Sequence, residues 1–176
     1  MVTATQERTD PVTAPFQTSF QTYATDFGIQ GILDAKITGL TVLDPTENNE
    51  PTLLLEEDDP YAVKVDWQVT GAGLCSFGGT WQVTLYINDI DGVGPTHGQL
   101  GTTVNIPVVG CKQDYTTTFT QPANSVQPGV YQFVVTINHS PQGATTPPPL
   151  GQQLTENVGY AQSSPVKFTP TVDESN

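Results

Sequence analysis

Val63, Val65, Trp67 and Val69 alternate with Lys64, Asp66, Gln68 and Thr70. A period of two sends one set of side chains into an interior and the other into water, which is the behaviour of a pleated strand. Three further stretches keep the same period: Trp81, Val83, Leu85 and Ile87; Val104, Ile106 and Val108; and Tyr131, Phe133, Val135 and Ile137. Four half-buried strands must pair and close on one another, so the chain is expected to be all-β and antiparallel.

The punctuation agrees. Among 176 residues, 16 are Gly and 15 Pro, and they fall between the alternating runs, where turns need unusual or preset backbone angles. Strands are expected at 32–43 (broken near Gly39), 52–55, 61–70, 81–90, 102–109, 115–120, 130–138 and 160–169. Pro107 cannot donate to a ladder, so the strand that holds it is expected at a sheet edge. Residues 31–172 read as one domain, with a proline-rich loop at 140–159 around Pro147, Pro148 and Pro149. Residues 1–30 read as an extended N-terminal arm with Phe16, Phe20, Tyr23 and Phe27 as aromatic anchors, and 173–176 as an acidic tail.

The run Pro128-Gly129-Val130-Tyr131-Gln132-Phe133-Val134-Val135 resembles the penultimate strand of immunoglobulin-like and fibronectin-III-like domains. In those domains a tyrosine near the strand start hydrogen-bonds back across the corner. Trp67 and Trp81 resemble their core tryptophans, and the likeness covers residues 32–170. It implies a two-layer antiparallel Ig-like sandwich of seven or eight strands, extended here by the arm. One departure matters: antibody-type domains place their cysteines mid-strand, whereas Cys75 and Cys111 fall near strand ends. The resemblance therefore implies an architecture and no particular family, and an architecture does not supply a function.

Five Lys and Arg against 18 Asp and Glu give a formal net charge of −13. Such a chain repels phosphate backbones and anionic headgroups, so nucleic acid is not an expected partner. The acids gather at Glu56-Glu57-Asp58-Asp59 and near Asp173 and Glu174. No segment is long and apolar enough to span a bilayer as a helix, and Met1 to Arg8 lack the pattern of a signal peptide. Synthesis in the cytoplasm is expected, with a place in an exported or surface assembly left open.

Chemical equipment is sparse. His97 and His139 have no companions that suggest acid–base work, and Gly71 to Gly79 lack the Lys-Ser or Lys-Thr of a phosphate loop. Asp89, Asp91 and Gly92 begin a calcium-like pattern, yet Val93 and Leu100 stand where ligands five and twelve belong. Asp58 and Asp59 could pool with them, but Asn-Asp and Asp-Gly steps are turn formers first. Two cysteines and two histidines make a poor zinc set, and no cofactor is expected. Cys75 and Cys111 are a candidate disulfide, with two independent thiols as the other reading. Tyr61, Tyr86, Tyr115 and Tyr160 are candidate sugar platforms.

The resulting expectation is a non-catalytic structural or adaptor subunit, within a larger bacterial or phage-tail-like assembly or as a homo-oligomer. Its docking elements would be Phe16, Phe20, Tyr23 and Phe27 on the arm, Val104 and Ile106 on the edge strand, and the loops. A carbohydrate-binding or adhesive module is the alternative.

Overall fold

A computed structural model describes residues 17–22, 34–76, 78–92, 97–140 and 157–171. They form eleven strands: β1 (Gln17–Thr22), β2 (Asp34–Asp44), β3 (Glu50–Pro51), β4 (Leu54–Glu56), β5 (Tyr61–Thr70), β6 (Thr80–Asp89), β7 (Gly98–Pro107), β8 (Asp114–Gln121), β9 (Gly129–Ser140), β10 (Asn157–Gln162) and β11 (Val166–Thr169). Two short 3-10 turns, Pro45–Glu47 and Leu74–Ser76, are the only helical elements among the described residues.

The strands make two layers. Sheet B has the order β3-β2-β5-β8. Sheet A is built around β9, which pairs with β6 on one side and with β10 and β11 on the other. Outside β6 lies β7; outside β10 and β11 lie β1 and β4. Every expected strand is present, with the last divided into β10 and β11 where Ser163 interrupts it. The Ser163 hydroxyl accepts from the Phe133 amide at 3.0 Å while its own N–H donates to the Phe133 carbonyl at 2.8 Å, so the ladder continues through the break.

Three features of the strands add to the expectation. The β4–β11 pair is parallel, because β4 enters sheet A directly after β3 in sheet B and runs alongside the returning chain. Arm residues Gln17–Thr22 are a strand of the chain's own sheet, paired antiparallel to β10. The expected break in the first strand is a bulge between Ile37 and Gly39. There a Cβ on Gly39 would lie 3.1 Å from Asp66 Oδ2, so a larger residue at the bulge would have to push the Asp66 carboxylate aside.

The core is the inward parity of the sequence. Trp67 stacks on Tyr115 (centroids 5.4 Å apart, 13° between planes), and Trp81 meets both rings edge-on at 6.4 and 5.9 Å. A second aromatic group joins Tyr61, Phe133, Tyr131 and Phe168 through centroid distances of 5.2 to 5.7 Å. Tyr131 folds its ring back over Gly129, where a Cβ would sit 3.1 Å from the ring. Burial holds the Tyr61 hydroxyl protonated, its pKa pushed up to about 12.

His139, one residue past the strand expected at 130–138, is the inward-facing penultimate residue of β9 and only 7% exposed. Its Nε2 lies 2.7 Å from the Gly78 carbonyl and its ring meets Trp81 edge-on at 5.2 Å. Desolvation lowers its pKa below the usual 6.5, against a smaller opposing effect of the Gly78 contact. A base that is harder to protonate folded than unfolded costs stability as the pH falls through 6.5, until the lowered native pKa is reached. Thermal unfolding of the chain and of His139→Gln should therefore show a stability difference that is largest above neutrality and shrinks at pH 5.5. A constant difference would place His139 outside this linkage.

Candidate functional site

The two flanks of the sandwich differ sharply in charge. On one flank, β2, β3, β4 and their turns carry Asp44, Glu47, Glu50 and the run Glu56 to Asp59, with no Lys or Arg between residues 44 and 59. Asp59 has its pKa raised, first by desolvation and then by the like charges of Asp44 and Asp58. On the opposite flank, β7 and β8 are the outermost strands of their sheets. Between Gly98 and Gln121 the only charged residues are Lys112 and Asp114. Lys112 Nζ sits 4.8 Å over the Tyr115 ring, and Asp114 accepts from the Gln68 amide at 2.9 Å.

β7 is a ten-residue edge without one ionisable side chain. Pro107 closes it, as an edge position allows, and the strand begins at Gly98 rather than at the expected Thr102. Val108 donates its N–H to Gly79 O at 2.9 Å, towards β6. Backbone direction alternates along a strand, so Ile106 and Val104 also face β6 with their amides, while Asn105 turns its N–H and C=O outward. Val104 and Ile106, expected as partner anchors, are half-buried and packed on the core. What this edge offers a neighbour is its backbone, with Asn105 at the centre.

The end of β7 is fixed by a disulfide. Cys75, on the connection from β5 to β6, is bonded to Cys111, on the connection from β7 to β8, with Cα atoms 4.0 Å apart. Both connections cross between the sheets, so the bridge clasps two crossovers at one end of the sandwich. Cys111 holds a left-handed φ of 63°, and a Cβ on Gly110 would lie 3.0 Å from the Cys75 carbonyl. Tyr115 adds a second tie: its hydroxyl accepts from the Val109 amide at 3.2 Å and faces the Val109 carbonyl at 3.3 Å.

Of the arm anchors, Phe16, Tyr23 and Phe27 lie outside the described residues, and Phe20 falls within β1. Among the sugar-platform candidates, Tyr61 and Tyr115 are core residues, 1% and 3% exposed. Tyr86 and Tyr160 do face outward, on sheet A. The Asp89 and Asp91 carboxylates are engaged by turn amides: Asp89 Oδ1 accepts from Gly92 at 2.9 Å and Asp91 Oδ2 from Val130 at 2.9 Å. Among the described residues no group of three or more His, Cys, Asp or Glu is placed to hold a metal ion. Sequence reading overlooked Asn105 and the neutral flank, although the absence of charge from Gly98 to Cys111 was there to be counted.

No family model and no curated protein matches the chain. Solved structures match it in fold. The C-terminal domain of wzt superposes with a TM-score of 0.52 over 89% of this chain and 82% of that one, at 12% identity. The CARDB domain of the PF1109 protein from Pyrococcus furiosus gives 0.43 over 79% and 90%, at 15% identity. A β-glucosidase from Listeria innocua gives 0.43 at 11% identity, with this chain spanning 16% of that enzyme's length. At these identities the likeness is one of fold alone: an all-β, Ig-like sandwich.

Proposed function

We propose that this chain is a non-catalytic docking subunit that joins a protein neighbour edge to edge through β7, the neighbour being a second copy of itself. The observation that carries the reading is an outermost strand of ten residues with no charge, in a chain whose net charge is −13. Natural sheets guard such edges with lysines, inward charges or a covering segment, because open backbone groups recruit other strands. Here the opposite flank holds the acids, so two copies meeting β7 to β7 keep their like charges far apart. On the β10 side of the same sheet the arm segment β1 supplies a further strand, whereas β7 pairs with β6 alone among the described strands. The disulfide-clasped end suits work in an oxidising compartment, where such a bridge persists.

Asn105→Pro tests the reading, because it deletes an outward N–H while the amides that face β6 remain. The chain should sediment as a concentration-dependent dimer and Asn105→Pro as a monomer, with unchanged near-ultraviolet circular dichroism. A wild-type monomer at millimolar concentration, or an Asn105→Pro dimer as tight as wild type, would overturn it.

A further inference from the structure

The outward face of sheet A is a second surface with a chemistry of its own. The outward side chains of β6, β7, β9 and β10 include no Asp, Glu, Lys, Arg or His, although the chain as a whole is strongly acidic. Strands β4 and β11 of the same sheet do turn Glu56 and Lys167 outward, and the outward face of sheet B pairs Lys64 with Asp66 at 3.0 Å. Across sheet A one register row runs Gln99, Tyr86, Val134, Gln162, and the adjoining row Thr84, Thr136, Tyr160. Tyr86 is half-buried and Tyr160 is 36% exposed, so both present ring surface to the solvent side. They stand two strands and two residues apart, about 12 Å from strand spacing and rise.

The polar groups around these rings are held in place. Gln132 Nε2 donates to Ser163 O at 2.9 Å, Gln99 Nε2 donates to Gly101 O at 3.1 Å, and the Thr84 and Thr103 hydroxyls pair at 2.8 Å. Of the exposed large apolar residues in the described chain, only Tyr160 lies on these four strands, with Leu54 at the far edge of the sheet on β4, so an apolar protein partner has little to cover here. Two separated aromatic rings in a fixed field of amides and hydroxyls match a different ligand. Pyranose rings offer C–H faces that stack on tyrosines, and hydroxyls that both donate to and accept from Gln, Asn and Thr. The uncharged area spanned by β7, β6, β9 and β10, on an acidic body, favours a neutral chain over an anionic one.

We propose that the outer face of β6, β9 and β10 binds a neutral oligosaccharide or polysaccharide chain, laid across Tyr86 and Tyr160. The test is affinity electrophoresis of the full chain in native gels containing a neutral glucan, mannan or galactan, with polygalacturonate and alginate in parallel gels. At least one neutral polymer should retard the chain, and Tyr160→Ala should weaken the retardation about tenfold, the size of a lost aromatic stacking contact. Tyr86→Phe keeps the stacking ring in its half-buried place and should retain binding. Sedimentation of the same variants separates this site from the β7 edge, since Tyr160→Ala should leave the dimer intact. No retardation by any neutral polymer, equal retardation of Tyr160→Ala, or preference for the acidic polymers would overturn the proposal.

Discussion

Trp81→Ala is expected to destabilise the fold by about 3–5 kcal/mol, a large share of what a domain of this size has to lose. The side chain is fully buried and lies edge-on to Trp67, Tyr115 and His139, at 6.4, 5.9 and 5.2 Å. Trp67 and Tyr115 belong to sheet B, Trp81 and His139 to sheet A, so its removal empties the contact between layers. Three strand-bound ring partners cannot easily collapse into the space left behind. Equilibrium denaturation should show the midpoint shift with an unchanged slope, and Trp81→Phe should recover a substantial part of the loss. A cost below about 1 kcal/mol would mean that the layers are not joined there.

Opening the Cys75–Cys111 bridge is the second large effect. Closing a loop across a sequence separation of 36 removes unfolded-chain entropy equivalent to about 4 kcal/mol. The native protein should weigh about two daltons less than its reduced form, and reduction should lower its unfolding midpoint as far as the double Cys75→Ser, Cys111→Ser variant does. The loss should fall on the end of the sandwich where the two crossovers meet, and Val109 and the end of β7 should lose amide protection first. Two free thiols in the native protein would refute the bridge. An unchanged midpoint after full reduction would leave it without structural effect.

The sequence made the layers legible because burial here follows parity. Trp67, Trp81, Phe133 and Ile137 are inward in the fold for the reason they alternate in the chain. Pro107 identified its strand as an edge by the N–H it lacks, and the glycine at position 39 marked the bulge. Other features depend on pairings that no local pattern encodes. The parallel β4–β11 pair and the return of residues 17–22 to β10 join segments more than a hundred residues apart. Strand β9 is expected to end at Asn138 because Ser140-Pro141 follows, yet it runs through Ser140 and carries the His139 ring inward. Tyr61 and Tyr115 looked like platforms because residue type alone does not reveal which face of a strand is covered. For the candidate site, sequence suggested an edge strand and took its side chains for the anchors. Only the register shows that Val104 and Ile106 turn inward and that the backbone around Asn105 is what a neighbour would meet.

Amide hydrogen exchange at Asn105 tests the docking reading most directly, because by the alternation of β7 that N–H faces away from β6, the one strand paired with β7 among the described residues. Its exchange should slow at least tenfold between micromolar and millimolar protein, while the amide of Ile106, directed at β6, stays protected at both concentrations. Open-chain exchange at Asn105 at every concentration would contradict the account.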